Sequence, residues 1–69
     1  MDRVPVSSTN IRSIGYDPDE SLLEIEFHKG GVYQYLGVPQ VEYDQLMGAG
    51  SKGSYFHANI KGRFTTQKV

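Results

Sequence analysis

Residues 23–28 read Leu-Glu-Ile-Glu-Phe-His, an apolar–polar alternation with a period of two. Side chains alternate across a strand, so Leu23, Ile25 and Phe27 line one face and Glu24, Glu26 and His28 the other. Such a strand belongs in an antiparallel sheet with one face on a core and the other in water. The flanking residues agree. Asp17-Pro18-Asp19-Glu20 is a turn, with proline at its second position. Lys29-Gly30-Gly31 is a hairpin connection, because glycine supplies positive φ without a steric penalty. Before the first turn, Ile11 to Tyr16 predicts a strand whose Ile14 and Tyr16 share a face. After the hairpin, Val32 to Leu36 predicts a third strand, with Tyr33 and Tyr35 on one side and Val32, Gln34 and Leu36 on the other. Three strands joined by tight turns form a meander.

The period then changes. Val38-Pro39 opens a segment with helical spacing, where Pro39 suits the first turn because its missing N–H costs nothing. Tyr43, Leu46, Met47 and Gly50 fall at i, i+3, i+4 and i+7, one face of a helix that Gly48 and Gly50 end. Ser51 is a suitable N-cap for a second helix. Its apolar stripe is Phe56, Ile60 and Phe64, and Gly62 weakens its tail. Thr65 to Val69 suits an extended end. Met1 to Ser7 is read as frayed or as an edge strand, since Pro5 cannot donate to a ladder, and Ser8, Thr9 and Asn10 are turn formers. The expected fold is α+β: a three-stranded antiparallel meander followed by two short helices packed on one face, in the order β-β-β-α-α. Leu23, Ile25, Phe27, Leu46, Phe56 and Ile60 are the expected core.

With 69 residues the chain is one domain at most, and a domain of this size buries only about 60% of the surface its unfolded form exposes. It has no cysteine, so neither a disulfide nor a thiolate metal site can add stability. Tight packing or burial between copies of the chain remains. The lack of cysteine fits a reducing compartment. Met1 to Asn10 does not resemble a secretory signal, and no apolar run approaches the roughly 20 residues that span a bilayer. A cytoplasmic setting is expected. The formal net charge of −1 argues against a protein held on nucleic acid by bulk positive charge.

The chain resembles the KTSC domain, a family named for its place at the C-terminus of some lysyl-tRNA synthetases and also found as stand-alone small proteins. The resemblance runs from Val6-Ser7-Ser8 onward, through Ser13-Ile14-Gly15-Tyr16-Asp17, Tyr33-Gln34-Tyr35, Val38-Pro39 with Tyr43 and Leu46, and Ser51-Lys52-Gly53-Ser54-Tyr55-Phe56 leading to Ile60. It implies a single domain over residues 1–69, no established activity, and a suggested RNA-binding role. His57 and Phe64 depart from the family pattern, where Asn and Tyr are common.

Three features are candidates for function. Tyr33 and Tyr35, at period two, either stack on bases or pack beneath the helices. Gly50-Ser51-Lys52-Gly53-Ser54 lies at a helix start, where free N–H groups and the dipole suit a phosphate, or it is an ordinary capped turn. It lacks the spacing of a Walker A loop. Lys52, Lys61, Arg63 and Lys68 form a late basic group. With a helix running from Ser51 to Arg63, Lys52 and Arg63 share a side close to three turns apart, facing either a phosphate backbone or solvent. His28 and His57 have no spacing partners for a metal or a general base, and no nucleophile motif or carboxylate pair is present. The sequence therefore predicts a non-catalytic module that binds a phosphate-bearing nucleotide-type ligand, RNA foremost, without metal or cofactor. Tyr33, Tyr35 and Tyr55 would meet the base, and Ser51, Lys52, Ser54, Lys61 and Arg63 the phosphate. The alternative is a homo-oligomeric interaction domain, one version of which sequesters a small nucleotide signal in a pocket between subunits.

Overall fold

The computed structural model describes residues 1–69. Its elements in chain order are β1 (Val4–Pro5), β2 (Ile11–Asp17), β3 (Leu22–Phe27), β4 (Gly31–Leu36), α1 (Gln40–Gly48), α2 (Lys52–Asn59) and β5 (Thr65–Lys68). All five strands are antiparallel neighbours in one sheet, ordered β1-β2-β3-β4-β5. The α+β class and both helices match the sequence expectation, and the three-strand count does not. The segment around Pro5 is an edge strand on β2, and the extended C-terminal end pairs with β4, Tyr33 opposite Lys68 and Tyr35 opposite Thr66.

Register explains the core. Ile14, Ile25 and Tyr33 form one row on the inner face, and Tyr16, Leu23 and Tyr35 the next. A bulge between Ile11 and Ser13 inserts one residue into β2, so Ile11 and Ile14 both reach the core although their spacing is odd. Leu46 of α1, Phe56 of α2 and Ile60 close over this face together with Val38, and Phe27 packs half-buried beside them. The chain between β4 and α1 is fixed by Val38, whose N–H donates to the Ser21 carbonyl at 2.9 Å and whose carbonyl accepts from the Tyr16 hydroxyl at 2.5 Å. Tyr16 in turn stacks on Tyr43 of α1, centroids 4.9 Å apart.

The second helix is shorter than expected. It ends at Asn59, where the N–H groups of Ile60 and Lys61 both donate to the Phe56 carbonyl at 2.9 Å, and Gly62 takes φ of 80° to turn the chain into β5. Arg63 and Phe64 are therefore not helical, and Lys52 and Arg63 do not share a helix side.

The outer face is not simply solvated. Gly15, Glu24, Gln34 and Gln67 form one cross-strand row. Gln67 Nε2 donates to Gln34 Oε1 at 2.8 Å, Gln34 Nε2 donates to Glu24 Oε1 at 2.9 Å, and Arg3 pairs with Glu24 Oε2. Arg3 Nε also donates to Ser13 Oγ at 3.1 Å, and Ser13 Oγ to Glu26 Oε1 at 2.9 Å. A Cβ on Gly15 would stand 2.8 Å from the Asp2 carbonyl and 3.0 Å from Arg3 Cγ, so only glycine lets the N-terminal segment lie this close. Glu24 is consequently 8% exposed, against its expected place in water. Its side-chain hydrogen bond from Gln34, with Arg3 beside it, outweighs burial and holds its carboxyl below the usual range. No helix is long and apolar enough to cross a membrane.

Candidate functional site

Two adjoining clefts flank α2. The first has a volume of about 760 Å3 and opens between the β3–β4 turn, the 8–10 loop, α2 and the segment leading into β5. Its floor is aromatic. Phe56 packs edge-to-face on Phe27 and Tyr35, with centroids at 5.5 and 5.4 Å, and Phe27 meets Tyr33 in the same way at 5.8 Å. These rings converge because period two puts Phe27, Tyr33 and Tyr35 on the inner face, where the capped helix α2 brings Phe56 down onto them.

The two tyrosines are therefore not an open stacking platform. Both belong to the helix-covered face. Tyr35 is 4% exposed, and Tyr33 is half-buried with Lys68 Nζ 5.8 Å from its ring centroid. The Tyr35 hydroxyl makes none of the protein's side-chain hydrogen bonds and is not fully sealed, and Tyr35 is one of the residues that line the cleft. Burial foremost, with Tyr33 beside it, pushes its pKa up to about 12, so it is a neutral donor at any physiological pH.

The rim of this cleft carries His28, Lys29, His57 and Lys61, with Asn10 and Thr9, and no carboxylate. His28 Nε2 lies 3.0 Å from the Ser8 carbonyl, which ties the rim to the 8–10 loop. Of these, only Lys61 was among the expected ligand residues. His28 had been set on the polar face by extending the alternation one residue too far: β3 ends at Phe27, and the chain turns immediately after it. Lys29 sits in a hairpin turn, and nothing in its spacing connects it with residues 53–62. The signal that would have found this rim is charge alone, because His28 and Lys29 sit together at the β3–β4 turn and His57 and Lys61 lie four residues apart across the end of α2.

The second cleft, about 860 Å3, runs between Ser7–Asn10 and the start of α2. It holds three expected residues, Ser51, Lys52 and Ser54, and shares Thr9, Asn10, Gly53 and His57 with the first. Ser51 caps α2 by accepting from the Ser54 N–H at 3.3 Å and donates to Ser54 Oγ at 3.0 Å, while Lys52 Nζ donates to the Ala49 carbonyl at 3.3 Å. This cleft also lacks carboxylates.

Tyr55 and Arg63 line neither cleft. The Tyr55 hydroxyl meets Glu42 Oε1 at 2.5 Å and Gln45 Oε1 at 2.7 Å, joining α2 to α1, and the Glu42 hydrogen bond raises its pKa. Arg63 donates to the Asn59 carbonyl at 3.2 Å, satisfying a group at the end of α2. No three His, Cys, Asp or Glu side chains come together in a metal-holding group.

Comparison with known proteins agrees with this architecture. The KTSC domain family model matches residues 7–64. A crystal structure of a KTSC domain protein from Yersinia pestis superposes with a TM-score of 0.98 at 53% identity, covering 99% of this chain and 96% of that one. An uncharacterized protein of Stutzerimonas stutzeri is 41% identical over 61 residues, 88% of this chain and 86% of its own length. A lysine-tRNA ligase of Nostoc sp. is 39% identical over 59 residues, which is 86% of this chain and 10% of the ligase. The chain belongs to the KTSC domain family.

Proposed function

We propose that this KTSC domain is a non-catalytic binding module for a phosphate-bearing nucleotide-type ligand, with RNA as the foremost candidate, working in the cytoplasm. The observation that carries the reading is the pairing of an aromatic cleft floor with a rim of Lys29, Lys61, His28 and His57 and no carboxylate, in a chain whose net charge is −1. A ligand with a planar apolar part and a negative part suits both surfaces. The groove at the start of α2 continues the same unopposed positive character, with Lys52 at its edge. The relatives add support, since the Nostoc protein is named for tRNA. The proposed contacts are Tyr33 and Tyr35 in the floor, Lys29 and Lys61 at the rim, and Ser51, Lys52 and Ser54 in the adjoining groove.

Titration of labelled tRNA, a short single strand and mononucleotides at two salt concentrations tests this. Binding that weakens with salt is expected, and Lys29→Ala with Lys61→Ala should reduce it further. Absence of binding by all of these probes at high protein concentration would sink the reading.

A second reading, self-association, rests on β5. It is an edge strand with all four residues exposed, and nothing covers its free side. A monomer by light scattering at the concentrations where ligand binds would remove it.

A further inference from the structure

We propose, resting on the nucleotide-binding reading, that the cleft between the β3–β4 turn and α2 takes the base of one unstacked nucleotide, and that the Tyr35 hydroxyl donates a hydrogen bond to an acceptor on that base's edge. Tyr35 is 4% exposed and its hydroxyl has no partner within the protein, yet every fully sealed side-chain polar atom of the protein is satisfied. The oxygen is therefore not fully sealed, and the cleft is the opening that Tyr35 lines. A hydroxyl on a residue this buried has few directions in which to find a partner, and an acceptor arriving in the cleft would supply one.

The surroundings select the class of acceptor. Phe27, Phe56 and Tyr33 present ring surface to the cleft, which suits the faces of a flat heterocycle. Its volume of about 760 Å3 lies in the roughly 300–1,000 Å3 range of small-molecule sites. A base inside a duplex keeps both faces covered and could not use these walls. A free phosphate would use only the rim. Lys29 and Lys61 stand at that rim, where a phosphate attached to a buried base would lie. The shared chemistry is a nucleobase joined to a phosphate, supplied either by an unpaired position in RNA or by a free nucleotide.

The test uses the full chain and four probes: a short oligouridylate, the same strand with abasic riboses, uridine monophosphate and ribose 5-phosphate. The probes that carry a base are expected to bind about 10-fold or more tighter than their base-free counterparts. Tyr35→Phe keeps the ring, and is expected to weaken only the base-carrying probes, by about 5-fold. Binding by the oligouridylate alone assigns the base to RNA, and binding by the monophosphate as well assigns it to free nucleotides too. In either case amide resonances of Tyr33, Tyr35 and Phe56 in the parent protein should shift on titration, which checks the site without any variant. Equal affinity with and without bases, indifference to Tyr35→Phe, or shifts confined to Glu24, Gln34 and Gln67 would overturn the base site while leaving a phosphate-binding module standing. No binding by any probe would overturn both readings.

Discussion

On one face of the sheet, Leu23, Ile25 and Tyr35 meet Leu46, Phe56 and Ile60, and the contacts are apolar. On the other, Glu24, Gln34 and Gln67 form a row of side-chain hydrogen bonds that Arg3 closes. The same alternation of residues builds both. The difference shows where each face gets its specificity. The inner face depends on shape, and it is finished by helices that leave an aromatic cleft at one end. The outer face depends on pairing, and it occupies two of the protein's carboxylates, Glu24 and Glu26. None of the eight acidic residues lines either cleft, which is how a chain of net charge −1 presents a rim of lysine and histidine. If the comparison is right, substitutions on the two faces should differ in size, in pH dependence and in their effect on ligand binding.

The largest effect is expected inside. Phe56 joins Phe27 and Tyr35 at the centre of the core, so Phe56→Ala should cost about 3–5 kcal/mol of unfolding free energy in urea. A domain of this size has only about 3–10 kcal/mol in total, so this variant should be largely unfolded near its growth temperature. A loss no greater than that from a change on the outer row would break the comparison.

Next comes Tyr35 at high pH. Its folded pKa, about 12, lies above the unfolded value of 10. The proton is held more tightly by the native state, so this contribution is complete below pH 10 and is lost as pH rises towards 12, on the order of 2 kcal/mol. Circular dichroism with tyrosinate absorbance should show unfolding across that window. Tyr35→Phe should resist alkali better than the parent, and equal alkaline sensitivity would show that the Tyr35 hydroxyl is as well solvated in the folded protein as in the unfolded one.

Much of the inner face was legible in advance, because Leu23, Ile25, Leu46, Phe56 and Ile60 follow from period and helical spacing. Ile11 was not, since a bulge breaks the period that would have revealed it. The outer strands were legible only as local tendencies, a frayed or edge segment before Ser8 and an extended end after Phe64, and not as members of the sheet. Val4–Pro5 has two residues and one is proline, and Thr65–Lys68 lacks alternation because all four of its residues are exposed. Their places in the sheet come from pairing with distant partners, which no local pattern encodes. The site divides along the same line. Tyr33, Tyr35 and Lys61, expected as separate ligand contacts, line one cleft, whereas Lys29, His28 and His57 join them through a turn and a helix packing far apart in sequence. Arg63 was misplaced by a helix extended past Asn59, where the double donation to the Phe56 carbonyl ends it.

A smaller effect is expected on the outer face. Arg3→Ala leaves Glu24 with Gln34 alone, at a position only 8% exposed. The expected cost is about 1–2 kcal/mol. The Glu24 carboxyl is held below its unfolded value of 4.5, by Gln34 foremost and then by Arg3. Its contribution is thus present above about pH 4.5 and is lost as pH falls through the lower folded value. The parent should lose more stability on acidification than Arg3→Ala does, as measured by urea midpoints from neutral pH downwards. Parallel midpoints would show that Arg3 is a loose surface partner and that the outer face is solvated after all.

The smallest effect sharpens the position of the site. Tyr55 has the same ring chemistry as Tyr35, sits one residue before Phe56, and by sequence was an equal candidate to meet a base. Its hydroxyl is engaged by Glu42 and Gln45, and Glu42 is a negative charge that would oppose a phosphate. Neighbouring residues of one helix turn about 100° apart, so burying Phe56 over the sheet directs Tyr55 towards α1 and away from the cleft. Tyr55→Phe should therefore change the affinity for an oligouridylate by less than about twofold, measured beside Tyr35→Phe under the same salt. A larger loss from Tyr55→Phe than from Tyr35→Phe would move the ligand to the α1–α2 side, and the carboxylate-free rim would then be only a solvated surface.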